Sequence, residues 1–441
     1  MTDTGSQQPK TPHLLPRIMS VALINGIGAI FLLVLNFILA RKLGKDGVGI
    51  YNYAWAWIEV VVVFSTLGLN KLAMRDVAYH VTHNAWTKLR GLLIGSTAML
   101  TASAVIASGL LAVVFYFFLD NVFELIFLQA VLLGLAVIPF RSLAFHFYGI
   151  LLGLRKSMQA QIPMFIGQPF FTIIIFLIIM WYYGISQITG LSAVTASMLS
   201  ALLVALISLV ISFKYIPREV LSVKSEYTPI PWLKVAMPMM FMASMALINI
   251  RADIIMIGLL GRSDDLTGEV GVYTIASRCS ELIRFGILAV NPVIVGLIAK
   301  HHATKQHDKL KHVVKSSARY LLFGALASVA ALYFFGQPIL SIFGSGFEVG
   351  YTALMILAIG QFMTIALGPV DATLIMTGHH HIALIGLLIA TIVNLILNAV
   401  LIPQFGMTGA AIATATSATI WSTILAMAVV KKLHFRPFAF F

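Results

Sequence analysis

Charge is what this sequence has least of. Only 10% of its 441 residues are Asp, Glu, Lys or Arg, against roughly 25% in a soluble domain, so water cannot be the solvent for most of its surface. Acid is the scarcer sign, with 16 acidic residues against 29 basic ones. Cysteine occurs once, at Cys279, which excludes an intramolecular disulfide and a multi-cysteine metal site; inside an apolar run it reads as a small buried residue. There is no G-x-x-x-x-G-K-[ST] phosphate loop, which argues against an ATP-driven pump, and no Ser/His/Asp arrangement stands out. His379-His380-His381 has no nearby carboxylate or cysteine to complete a metal site. His301, His302, His307 and His312 sit in a basic stretch suited to a solvated surface facing anionic lipid.

What is abundant is hydrocarbon. Hydrophobic residues make up 60% of the chain, in runs of about 20 or more, long enough to cross a bilayer core. Twelve spans are expected, at 17–40, 51–69, 92–118, 123–150, 160–183, 191–213, 233–259, 270–298, 316–335, 350–376, 382–402 and 409–430. The polar stretch Met1 to Pro16 precedes them, and the first run is too long for a signal-peptide core, so it reads as a retained span. The longer polar connections are 70–91, 214–232 and 299–315. Of the 29 basic residues, 21 fall on the tails and on loops after even-numbered spans. Four (Arg41, Lys42, Lys45, Arg262) fall on the opposite loops, and four inside spans. Both termini are therefore expected in the cytoplasm, and the net charge of +13 records that bias rather than nucleic-acid binding.

An internal repeat runs at an offset of 222 residues. Val48-Gly49-Ile50-Tyr51 opens span 2 as Val270-Gly271-Val272-Tyr273 opens span 8, and Tyr183-Gly184-Ile185 answers Phe405-Gly406-Met407. Thr189-Gly190 begins span 6 as Thr408-Gly409 begins span 12. Two six-helix lobes, 1–213 and 214–441, follow, each with an even number of spans and so the same orientation. Halves of that kind are related by an axis along the membrane normal, with a substrate path between them.

Charge inside a span costs a few kcal/mol or more unless it faces protein or water. Glu59, Arg141, Arg251, Asp253, Arg278, Glu281, Arg284 and Asp371 carry it here. The repeat makes Glu59 and Glu281 equivalent. Helical spacing adds Asn25 and Asn36 on span 1, Gln168 on span 5, and Asn394 and Asn398 on span 11. Together they describe a polar lumen: guanidinium groups suited to phosphate, amides to sugar hydroxyls. Arg278, Glu281 and Arg284 also fit simple pairing along one helix. Two residues turn a helix by about 200°, so Arg251 and Asp253 cannot both face the lumen, which leaves Asp253 for a helix–helix contact. Asp371, just after Pro369, suits a coupling-ion or gating role or a plain polar contact. Pro139, Pro163, Pro169, Pro238, Pro292 and Pro369 each permit a kink.

Several segments carry a resemblance. Leu43-Gly44-Lys45-Asp46-Gly47-Val48-Gly49-Ile50-Tyr51 with Leu67-Gly68-Leu69 resembles the first hairpin of bacterial polysaccharide exporters. So do Ala252-Asp253-Ile254-Ile255-Met256-Ile257-Gly258, Gly271-Val272-Tyr273-Thr274-Ile275-Ala276-Ser277-Arg278 and the turn Leu401-Ile402-Pro403-Gln404-Phe405-Gly406-Met407-Thr408-Gly409. The whole chain is similar to Wzx-like oligosaccharide flippases of the multidrug/oligosaccharidyl-lipid/polysaccharide (MOP) exporter superfamily. That resemblance implies an all-α membrane protein, a V-shaped bundle of two pseudo-symmetric six-helix lobes. It implies export of an undecaprenyl-diphosphate-linked oligosaccharide to the periplasmic leaflet of the bacterial inner membrane, for O-antigen, capsule or exopolysaccharide biosynthesis. It also implies alternating access without catalysis or cofactor, with proton or sodium coupling. Arg141, Arg251, Arg278 and Arg284, with Asn25, Asn36, Gln168, Asn394 and Asn398, are the expected lumen-lining residues. Glu59, Glu281, Asp371 and Asp253 are those expected for coupling or gating. The expected partners are the lipid-linked glycan, membrane lipid and the synthesis and polymerisation machinery, around a monomer. An ion-coupled small-molecule antiporter is the alternative, and would call for an anionic, aromatic-lined pocket. A membrane transferase would need a larger outer loop than the dozen or so residues available.

Overall fold

A computed structural model describes residues 14–118 and 125–438. The polar tail up to His13, residues 123 and 124 of the fourth span and the side chain of Pro292 lie outside what it describes. The described residues are helical nearly throughout. In chain order the helices are α1 (Leu14–Ser65), α2 (Leu69–Thr82), α3 (Trp86–Phe118), α4 (Leu125–Leu135), α5 (Ile138–Gly153), α6 (Ser157–Gln161) and α7 (Gln168–Tyr183). There follow α8 (Gly190–Tyr215), α9 (Glu219–Ser222), α10 (Pro229–Leu260), α11 (Leu266–Glu281), α12 (Phe285–Ala303) and α13 (His307–Phe343). The last are α14 (Tyr351–Ala366), α15 (Val370–Met376) and α16 (His380–Leu433).

Eight of the described helical segments are each long and apolar enough to cross a membrane, and α4 with α5, bent by 45°, makes a ninth. Two of the eight are too long to be single spans. Helix α1 has 52 residues and α16 has 54, whereas about 20 suffice. Each breaks once, α1 at Gly44 (φ 67°) and α16 at Gly406 (φ 55°). With α11 and α12, joined through a 3-10 turn at Leu282–Arg284, the crossings come to the expected twelve. The breaks have local causes. Pro139 occupies the first turn of α5, where its missing N–H costs nothing. Pro163 lies in a π-helical turn, Ile162–Gly167, and Pro369 caps α15. Helix α10 runs through Pro238 unbroken in its hydrogen-bonded assignment.

Connection 70–91 differs from expectation, because most of it is helix α2. Leu69, Leu72, Ala73 and Val77 are buried at helical spacing while Lys71 and Arg75 between them stay exposed, a pattern too polar for a span. One end of the bundle carries the Lys- and Arg-rich connections, and is here the basic end. At the other, sparse end, exposed aromatics cluster: Trp181 (85% exposed), Tyr182, Tyr116, Tyr333 and Phe334. That is where amphipathic rings settle at a membrane boundary.

The repeat has a physical counterpart at the sparse end. A Cβ on Gly49 would stand 1.7 Å from the Thr267 carbonyl oxygen and 3.0 Å from the Gly271 nitrogen. A Cβ on Gly271 would stand 2.0 Å from the Lys45 oxygen and 3.0 Å from the Gly49 nitrogen. Lys45 and Thr267 are themselves 222 residues apart, so the two contacts are one contact repeated about a local twofold axis. Gly184 (φ 82°) and Gly406, also 222 apart, both take the left-handed backbone that turns the chain between consecutive spans.

Candidate functional site

Four helices, α1, α5, α10 and α11, bring charge together between the repeats. Glu59 on α1 accepts a hydrogen bond from Arg251 Nε of α10 at 2.5 Å and another from Trp55 Nε1 at 3.2 Å. Arg278 of α11 donates to Glu281 one turn on, at 3.1 Å. Arg251, Arg141 and Arg278 all act electrostatically on Glu59, and Glu281 on Arg251. The group thus holds three guanidinium groups against two carboxylates, a surplus of one positive charge inside the bundle.

That surplus sits on Arg141 of α5. Its guanidinium lies over the Trp55 ring, 5.4 Å from the centroid, and over Phe145 at 5.0 Å. The residue is 8% exposed, and its Nε and Nη1 have no hydrogen-bond partner among the described residues. Ring faces offset part of the cost of burying a cation, but desolvated N–H groups remain expensive unless an acceptor arrives. Tyr51, stacked on Trp55 at 6.0 Å, extends the aromatic wall and is fixed by a hydrogen bond from Ser197 Oγ at 3.2 Å.

A second polar cluster is fully enclosed. Asp253 accepts hydrogen bonds from Tyr273 Oη (2.6 Å), Asn398 Nδ2 (2.9 Å), Asn394 Nδ2 (3.5 Å) and the Thr414 hydroxyl. No cation pairs with it among the described residues. It links α10, α11 and both arms of α16, as its rotation away from Arg251 requires.

The sequence placed more residues on the lumen than the structure brings to it. Asn394 and Asn398, one turn apart on α16, donate to Asp253 rather than to the charged group. Asn36 donates to the Leu32 carbonyl of its own helix at 2.8 Å, and its buried Oδ1 has no hydrogen-bond partner among the described residues. Gln168 reaches the Ser197 carbonyl at 3.4 Å, between α7 and α8. Asn25 is exposed on α1, Arg284 is exposed at the break before α12, and Asp371 is exposed at the start of α15. None of these three joins the charged group. Trp55 shares a face with Glu59 by the helical spacing of span 2, as the sequence shows, whereas Phe145, Tyr273 and Thr414 were missed. Of these three, Tyr273, inside the repeat signature, carried a sequence signal.

At the sparse end, polar contacts flank the glycine crossing. Lys45 pairs with Asp265, Thr267 donates to Asp46 at 3.2 Å, and the Met407 amide donates to Glu269 at 2.5 Å beside the Gly406 turn. The hydrogen bond to Asp265 raises the Lys45 pKa. Burial alone would lift Asp265, but hydrogen bonds from Lys45 and the Gly268 amide hold it below its usual 3.8. Asp46 moves the other way, raised by burial and by its neighbour Asp265.

The profile of a family described as polysaccharide biosynthesis proteins matches residues 14–302. Two curated relatives from Haloferax volcanii, the probable low-salt glycan biosynthesis flippase Agl15 and the probable flippase AglR, are each 27% identical, over 150 and 177 residues. Those matches take in 34% and 39% of this chain and 32% and 37% of the relatives, so the matching region spans about a third of their length. An inward-facing multidrug resistance MATE family transporter of the MOP superfamily superposes with a TM-score of 0.77, at 13% identity, over 94% of this chain and 98% of that one. Lipid II flippase MurJ, in an inward closed conformation, gives 0.72 at 17% identity, over 93% and 87%. At such identities the likeness carries the fold.

Proposed function

Because the chain belongs to the polysaccharide biosynthesis protein family and has the helical fold of MOP exporters, we propose that it is a flippase for a lipid-diphosphate-linked oligosaccharide. The observation that carries this reading is Arg141, a buried guanidinium with unsatisfied N–H groups beside an already neutralised Arg251–Glu59 pair. A diphosphate is the complementary ligand, since the planar fork of arginine binds phosphate oxygens in pairs. The finer reading is undecaprenyl diphosphate as carrier, in a bacterial inner membrane, feeding O-antigen, capsule or exopolysaccharide assembly. The basic end then faces the cytoplasm with both termini, and residues 1–213 and 214–441 are the rocking lobes. A protein-lined path is needed because charge and sugar cannot cross hydrocarbon unaided, and no bond is broken. The antiporter alternative is weakened because both carboxylates of the charged group, Glu59 and Glu281, are already paired with Arg251 and Arg278.

The test is leaflet-resolved measurement of lipid-linked oligosaccharide in a deletion strain. Wild type should clear the cytoplasmic leaflet, and Arg141→Ala should leave it loaded, with transport reduced about tenfold or more, the scale of losing one charge-assisted hydrogen bond. Unchanged lipid intermediates in the deletion, with altered sensitivity to organic cations, would promote the antiporter instead.

Asp253 is the coupling residue in this reading. A carboxylate with four donors and no counter-cation is a natural seat for a proton or a monovalent cation, and the cluster spans the helices that must shift. Asp253→Asn should preserve binding of the lipid substrate but remove the dependence of transport on an imposed proton or sodium gradient. Retained gradient dependence would exclude Asp253 from coupling.

A further inference from the structure

Immediately to the basic side of the charged group lies a cavity of about 340 Å³. Its position follows from three of the four charged helices. Val62 and Thr66 follow Glu59 on α1, Phe145 and Tyr148 follow Arg141 on α5, and Ala246 and Ile250 precede Arg251 on α10. It is therefore a compartment between the repeats, walled on the second-half side by α10 alone. That wall is made of Met, Ala, Leu and Ile, and polar groups gather at the far end, where α2 contributes Asn70 and Lys71.

Two contacts join the cavity to the cationic site. Phe145 lines it and also carries the Arg141 guanidinium at 5.0 Å, and Ile250 lines it next to Arg251. A ligand whose anion sits on Arg141, with its unpartnered, buried Nε and Nη1, has its next atoms in this apolar space. Against the α10 wall sugar hydroxyls would lose their water and meet only Met, Ala, Leu and Ile side chains. The volume is near the lower bound of small-molecule sites, about 300–1,000 Å³, too small for an oligosaccharide and large enough for a short run of isoprenoid carbons.

We infer that this cavity receives the diphosphate-proximal isoprenoid units of the carrier lipid. The carrier is thus gripped at its junction, phosphate on Arg141 and first prenyl carbons against α10. The inference rests on the flippase reading and adds to it a subsite that recognises the lipid rather than the glycan.

The test compares inorganic pyrophosphate, methyl diphosphate and geranyl diphosphate as ligands of the full chain in nanodiscs, with protein-free nanodiscs as the partition control. Geranyl diphosphate should bind wild type at least about tenfold more tightly than methyl diphosphate, the gain expected from burying even a few methylenes. Ala246→Trp, which fills the cavity, should erase that gain and leave pyrophosphate affinity unchanged. Leu247→Asn, which keeps the volume and adds polarity, should reduce the gain without the risk of overpacking. Arg141→Ala should weaken all three ligands. If pyrophosphate binds through Arg141 but the prenyl group adds nothing, or adds as much in both cavity variants, the subsite is refuted and the flippase reading stands. If neither pyrophosphate nor geranyl diphosphate binds wild type, both fall together.

Discussion

Gly49→Leu should abolish transport while leaving the protein inserted and folded. The Cβ it adds meets a main-chain oxygen at 1.7 Å, and a backbone cannot rotate aside as a side chain can. Overpacking an ordinary core position costs about 1–3 kcal/mol. Here the strain falls on one contact, the crossing that closes the sparse end, so the molecule relieves it by leaving the closed state. Cys279 supplies the readout. It is the sole cysteine, 1% exposed on the same helix as Gly271, so an impermeant maleimide should label it in Gly49→Leu and not in wild type. Gly271→Leu should behave identically, since the contact is reciprocal. Gly26→Leu, where an added Cβ meets nothing within 4 Å, should be silent in both assays. Near-wild-type transport by Gly49→Leu would show that the crossing is not required to form in the cycle.

Arg251→Met should be the most destabilising substitution in the lumen. Glu59 and Arg251 side chains are 18% and 12% exposed, and removing one partner of a buried pair typically costs about 3–5 kcal/mol, because the other is left uncompensated. Arg141 and Arg278 also act on Glu59, which places the expected loss towards the lower figure. Adding Glu59→Gln should recover most of the thermal stability in detergent, since the stranded charge is gone, without recovering transport. If the double variant melts no higher than Arg251→Met alone, the loss comes from packing rather than charge.

The sequence and the structure agree where the signal is one-dimensional. Hydrophobic length placed twelve crossings, and the 222-residue echo of Gly49 in Gly271 anticipated a symmetric molecule without revealing that the two glycines touch. The 200° turn between Arg251 and Asp253 correctly sent them to different surroundings. Legibility ends where the neighbour decides. Asn394 and Asn398 share a helix face in either arrangement, and only the rotation of α10 and the fold-back of α16 at Gly406 turn that face to Asp253. Asn36 and Gln168 donate to backbone carbonyls for a related reason. In an apolar surrounding an amide bonds the nearest carbonyl, and periodicity does not say which one is free. Lys45 and Asp265 lie 220 residues apart in loops with no shared motif, so their pairing is legible only in three dimensions.

The crossing of Gly49 and Gly271 separates two properties that most transporters must tune together. It is a meeting of two main chains with no side chain between them, so its geometry is indifferent to drift at Arg141, Phe145, Ala246 or any other residue of the path. A lineage can therefore exchange the cargo it recognises by rewriting the lumen, while the closing contact between the two repeats stays the same.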